Sequence, residues 1–163
     1  MVGREREGTD VLHDYREIAE RVYDIFSRGA VRELPEVFAA DFIEHEQVPG
    51  STATGIDAVA AWVTLCSTAF PDARYRVDSV VGEGHQAVCR VQLTGTHRGE
   101  FLGAPATGNP IDVMIIDWVR LTPQGKVAEH WGAFQESRLM EQVGLLPAQA
   151  PAIDLTQRIP QQA

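Results

Sequence analysis

Residues 111–121 read IDVMIIDWVRL, the most apolar run in the chain, and they read as a β-strand. Side chains alternate between faces along a strand. One face is therefore Ile111, Val113, Ile115, Asp117, Val119 and Leu121. A lone charged carboxylate in such a wall is costly unless it is paired, hydrogen-bonded or protonated. Asp117 is for that reason the first candidate for proton chemistry.

The same period of two extends on both sides. Residues 74–82, 86–99, 109–122 and 126–135 all read as strands. Gly82–Gly84 and Pro123–Gln124–Gly125 are tight turns between antiparallel neighbours, and EFLGAPATG at 100–108 is a longer connection. Before Pro71 the period is helical. A helix is expected from Thr9, capped by Thr9 or Asp10. Leu12, Tyr15, Ile18, Ala19, Val22, Ile25 and Phe26 form its apolar stripe, and Gly29 ends it. A short helix is expected over 31–39 and an extended piece, DFIEHEQ, at 41–47. A third helix over 56–69 buries Val59, Trp62, Val63, Cys66 and the following Phe70. A last short helix spans 136–143.

Helices followed by long antiparallel strands mean an α+β domain, here over residues 9–146. Residues 1–8 and 147–163 read as disordered tails. Long strands twist and curl, so helices across their mouth enclose an interior suited to a small ligand.

Composition narrows the partners. The 163 residues carry 14 basic and 23 acidic side chains, a formal charge of −9. That surface repels phosphate and argues against nucleic acid and anionic membranes. No apolar run approaches the roughly 20 residues of a membrane span. The start, MVGREREGTD, lacks the apolar core of a secretory signal. Cys66 and Cys89 lack metal or redox spacing and read as buried hydrophobes in a reducing cytoplasm.

Five segments carry a resemblance: EHE (44–46), AFPDA (69–73), GTHRGEFLGAPATG (95–108), GKVAEHW (125–131) and QVG (142–144). Together they resemble the SnoaL-like polyketide cyclases of the NTF2-like superfamily over about residues 11–146. The resemblance implies an NTF2-like cone, with three N-terminal helices packed on a strongly curved, mostly antiparallel sheet. It implies an apolar pocket for a hydrophobic small molecule, no metal and no organic cofactor. It also implies a homodimer through the outer sheet face, where Met114, Ile116 and Trp118 lie. Relatives include aldol cyclases, hydroxylation partners, pyran- and furan-forming cyclases, isomerases and epoxide hydrolases.

Three residues are expected to be catalytic: Asp117, His130 and His45. His130 lies in the AEHW motif and titrates near neutrality in the free imidazole. His45, in FIEHE, matches a family histidine that points into the mouth of the cone. His97, Trp62, Phe42, Phe101, Gly132, Phe134 and Gln135 are expected to bind substrate, although His97 also reads as a core histidine. His13 and His85 read as surface residues. None of these groups shows a metal-ligand spacing. The chain departs from the aromatic aldol cyclases at Gly132 and Gln135, where relatives carry acids, so that mechanism does not transfer. If Gly132 faces inward, it is expected to widen the cavity. The leading expectation is a cofactor-independent cyclase or isomerase acting by general acid–base catalysis. An epoxide hydrolase and a non-catalytic carrier or resistance protein are the alternatives.

Overall fold

A computed structural model describes residues 14–147 of the chain. Helix α1 spans Tyr15–Arg28, and the Asp14 carboxylate caps it by accepting from the Glu17 N–H at 2.9 Å. Asp14 is the cap within the described residues; the expected start at Thr9 and the first stripe residue Leu12 lie outside them. Gly29 closes the helix in the left-handed conformation, φ 63°, as the sequence predicts.

The expected second helix is shorter than its pattern. A 3₁₀ turn, Val31–Glu33, leads into a four-residue helix α2, Leu34–Val37. Phe38 then turns extended and opens strand β1, Phe38–Glu44, which pairs in parallel with a later strand. Sheet pairing overrides the local helical spacing at that residue. Helix α3, Gly55–Ala69, follows, and then come β2 (Arg74–Glu83), β3 (Gln86–Thr96), β4 (Pro110–Leu121) and β5 (Val127–Phe134). Helix α4, Glu136–Gln142, ends the described domain. No helix among the described residues is long and apolar enough to cross a membrane.

The five strands form one mixed sheet in the order β1-β5-β4-β3-β2, antiparallel except for β1 against β5. Its pairing shifts register between Val77 and Ser79 and between Arg120 and Leu121. Such bulges bend a strand and steepen its twist, so the sheet curls without closing. The second bulge also settles the parity of β5. Val127 and Ala128 are both buried beside it, and beyond it His130, Gly132 and Phe134 line the concave side.

On β4 the alternation holds as predicted. Ile111, Val113 and Leu121 are buried, while Trp118 on the opposite face stays 45% exposed. Helices α1 and α3 cover the concave face in two clusters. One gathers Phe70, Phe101, Val91, Leu93 and Val113; the other gathers Ile25, Leu34, Val63, Leu121 and Val127. Each such aliphatic side chain contributes about 1.5–3 kcal/mol on full burial. Leu102, at φ 50°, is the one non-glycine residue with positive φ among the described residues.

Candidate active site

Between the two clusters the cone holds a cavity of about 260 Å³. Trp62, Phe101, Ile115, Val119 and Phe134 supply apolar wall, and Asp117 and His130 interrupt it. The carboxylate of Asp117 is only 14% exposed and is held from two sides. Its Oδ2 accepts a hydrogen bond from the Tyr23 hydroxyl on α1. Its Oδ1 lies 3.2 Å from His130 Nε2 on β5. On the far side of the ring, His130 Nδ1 lies 2.7 Å from Glu44 Oε1 on β1. Tyr23, Asp117, His130 and Glu44 thus form one continuous chain across four elements.

The register of the sheet builds this chain. Asp117 stands opposite Gly132 and Val119 opposite His130, while Glu44 is the parallel partner of His130. Gly132 is the enabling residue. A Cβ there would sit 2.9 Å from His130 Cε1 and 3.0 Å from Asp117 Oδ1. Only an absent side chain leaves room for imidazole and carboxylate to meet. The expectation that Gly132 widens the cavity is therefore corrected: the space it leaves is taken up by the Asp117–His130 pair.

Both ring nitrogens of His130 face carboxylate oxygens, so both carry protons. Burial opposes a charged ring, but the hydrogen bonds and charges of Asp117 and Glu44 outweigh it and raise the imidazole to about 10. At neutral pH the group is an imidazolium between two carboxylates. Burial, reinforced by the negative charge of Asp117, lifts the Tyr23 phenol well above its usual range, so it stays a donor. The same two causes push the Cys89 thiol, 3.7 Å from the Tyr23 hydroxyl, up to about 11. A thiol so raised is a poor nucleophile.

Of the ten residues expected at the site, Asp117, His130, Trp62, Phe101, Gly132 and Phe134 line the cavity. Four do not. His45 projects to the convex side, where its ring stacks on Trp131 at 4.5 Å and its Nε2 lies 2.9 Å from Glu129 Oε1. The reason is alternation: Glu44 faces inward, so the next residue faces out. Phe42 is buried in the second core cluster, edge-on to Phe38 at 4.7 Å. His97 is fully buried beside Phe70, with Nδ1 3.0 Å from Thr107 Oγ1, and burial lowers its pKa. It ties down the 97–109 loop as a core histidine. Gln135 turns away from the cavity, and its side-chain oxygen accepts from the Met114 N–H at 2.9 Å.

Two members of the chain escaped the sequence reading. Tyr23 sits beside Ala19, Val22 and Phe26 on the buried face of α1, and a phenol there needs a partner. Glu44 shares strand parity with the buried Phe42, which marks it as inward. Glu46 also reaches the cavity rim, its Oε1 accepting from the Gly132 N–H at 3.3 Å. Among the described residues, no group of three or more His, Cys, Asp or Glu side chains is arranged to hold a metal ion.

No curated protein matches the chain. Among solved structures, TsrD from Streptomyces laurentii is 26% identical with a TM-score of 0.72, over 80% of this chain and 95% of that one. AclR from Streptomyces galilaeus, a candidate hydroxylase, is 23% identical with a TM-score of 0.73, over 88% of each chain. IdmH from Streptomyces antibioticus, a candidate polyketide cyclase, is 24% identical with a TM-score of 0.70, over 81% of this chain and 99% of that one. At these last two identities the likeness speaks for the fold alone. The family model described as SnoaL-like polyketide cyclase matches residues 16–143, nearly all of the described domain. On that match, and on the curled sheet behind its helices, the chain belongs to the SnoaL-like polyketide cyclases of the NTF2-like fold.

Proposed function

We propose that the protein is a cofactor-independent cyclase or isomerase that acts on a hydrophobic, polyketide-like intermediate. The observation that carries this reading is the Asp117–His130 pair set in the wall of an apolar cavity. Folding a flexible chain against such walls brings reacting atoms together, an effect worth up to roughly 7–11 kcal/mol in the best cases. Asp117 is the proton acceptor. His130, held charged, is the donor facing a developing oxyanion. Its 2.7 Å bond to Glu44 anchors the ring, and the 3.2 Å approach to Asp117 is the looser contact that a substrate oxygen can share. Tyr23 holds Asp117 in place from the other side. His45 has no part in this proposal.

Asp117→Asn keeps the size of the side chain and removes the base. Turnover of linear poly-β-ketone and hydroxy-enone substrates, followed by mass spectrometry, is expected to fall at least about 10²-fold with the circular dichroism spectrum unchanged. Full activity in that variant would dispose of the assignment.

Hydrolysis of an epoxide is the second reading. It needs a base and a separate acid, and the charged His130 and the Tyr23 phenol supply acids beside Asp117. Oxygen-18 entering the product from water would select it. A binding role without turnover would show as tight product binding with no conversion of the precursor. The convex face, with Trp118 exposed beside Trp131, is proposed to meet a second copy of the chain, as the resemblance implies. Sedimentation showing only monomer would refute that.

A further inference from the structure

The turn at residues 101–104 reads FLGA, and its backbone is closed by two hydrogen bonds. The Phe101 N–H donates to the Ala104 carbonyl at 3.0 Å, and the Ala104 N–H donates back at 2.9 Å. Both central residues have positive φ, 50° at Leu102 and 86° at Gly103. Two-residue turns of that hand favour Asn-Gly, Asp-Gly or Gly-Gly, because a Cβ in the left-handed region crowds the following carbonyl. Gly103 suits its place. Leu102 does not.

The surroundings explain why the strain persists. Phe101 is fully buried against Phe70 at 5.2 Å and Trp62 at 6.4 Å, so the base of the turn is fixed in the core. His97 fastens the rest of the loop, its backbone bonded to both Gly108 and Asn109. The turn is thus held at its base, and its tip carries Leu102 against the core cluster and into the cavity wall. A Cβ on Gly103 would meet nothing within 4 Å, so the glycine takes the open position and the leucine the partly buried one. A left-handed leucine stays put only where the structure around it fixes it, and such residues cluster at ligand sites.

We propose that Leu102 determines substrate size: its side chain ends the cavity and limits the length of ligand the cone accepts. This rests on the cavity being the ligand site, and it concerns fit, not proton transfer.

Three neutral aromatic probes of rising size test it by fluorescence titration: 2-naphthol, N-phenyl-1-naphthylamine and Nile red. Leu102→Ala removes the side chain but keeps the strain, and Leu102→Gly removes both. Both variants are expected to shift the affinity ratio of Nile red to 2-naphthol at least tenfold in favour of the larger probe. Leu102→Gly is expected to melt at a higher temperature than Leu102→Ala, which a purely packing role would not produce. A ratio within twofold of the parent protein in both variants would overturn the proposal, as would a lower melting point for the glycine variant. If no probe bound the parent or either variant, the cavity reading would fall and take this inference with it. A fully active Asp117→Asn variant would refute the acid–base reading alone and leave the size profile standing.

Discussion

The end of β1 with the residue after it, and strand β5, each present an adjacent acid and histidine, and they pair crosswise. Glu44 meets His130 at 2.7 Å on the concave side, while His45 meets Glu129 at 2.9 Å on the convex side. The chemistry and the distances are nearly the same, but the surroundings are not. The side chains of Glu44 and His130 are 9% and 19% exposed, and Asp117 adds a second carboxylate to the ring. The outer histidine is 37% exposed, and its acid is shared with Arg120 at 2.8 Å. Inside, burial weakens solvent screening of the charges, so the two carboxylates hold the ring in its charged form. Outside, water and salt answer them, and the pair is one of many surface contacts.

The largest test of this contrast is Glu44→Gln. The amide keeps a hydrogen-bond acceptor for Nδ1 but removes the charge opposite the ring. A hydrogen bond to a charged group is worth about 1.5–3 kcal/mol, and the variant is expected to lose a stability in that range at pH 7. The pH profile gives a sharper readout. The His130 pKa is raised by folding from its usual 6.5 to about 10. Its contribution is therefore fully present below about pH 6.5 and is lost as the pH rises through 10. Urea melts are expected to show stability falling across that window by a few kcal/mol, and falling less in Glu44→Gln. The Tyr23 phenol adds to the loss only above about pH 10, because its folded pKa is raised too. His97 acts at the other end: burial lowers its pKa, so its contribution is present above about pH 6.5 and is lost as the pH falls below that toward its depressed folded pKa. A profile flat from pH 6.5 to 10 would mean that His130 is not held as the cation.

Gly132→Ala tests the geometry behind the charge. One methyl group would land 2.9–3.1 Å from three atoms of the His130–Asp117 contact. The strand backbone cannot yield readily, so the ring or the carboxylate must move. Overpacking of this kind costs about 1–3 kcal/mol. The diagnostic readout is an NMR titration, in which the His130 pKa should drop from about 10 toward its ordinary value. A stable variant with the same titration would show that the pair does not depend on the glycine.

The same contrast marks what was legible in the sequence. Period-two alternation placed four strands within a few residues of their ends, most clearly in β3 and β4, where alternate residues are buried and the register is thereby fixed. Asp117 is a charge on an apolar face, and alternation alone places it inward, where it lines the cavity. His45 lies outward despite its motif, because it follows the inward Phe42 and Glu44 with the opposite strand parity. The partnership of Glu44 with His130 was out of reach, since it depends on a parallel pairing between strands 86 residues apart in sequence. Tyr23 lies outside the apolar stripe expected for its helix, and its buried phenol gains meaning only from the acceptor that the opposite sheet supplies. The role of Gly132 belongs to the same class, because a missing side chain acquires meaning only from the atoms that fill its place.

The smallest expected effect belongs to the convex pair. Glu129→Gln removes the charge facing both His45 and Arg120, which between them hold its carboxyl below the usual range. All three side chains reach solvent, so only a small loss of stability is expected, shrinking further as salt is raised. Turnover should stay within about twofold of the parent protein, since the carboxylate lies on the opposite side of the sheet from the cavity. The comparison breaks if Glu129→Gln disturbs turnover as strongly as Glu44→Gln does. That result would mean that the strand ends move together and that the outer contact sets the position of the inner one. Equal melting curves in low and high salt for the parent and the variant would instead leave the convex pair with no energetic role, the behaviour of many exposed ion pairs.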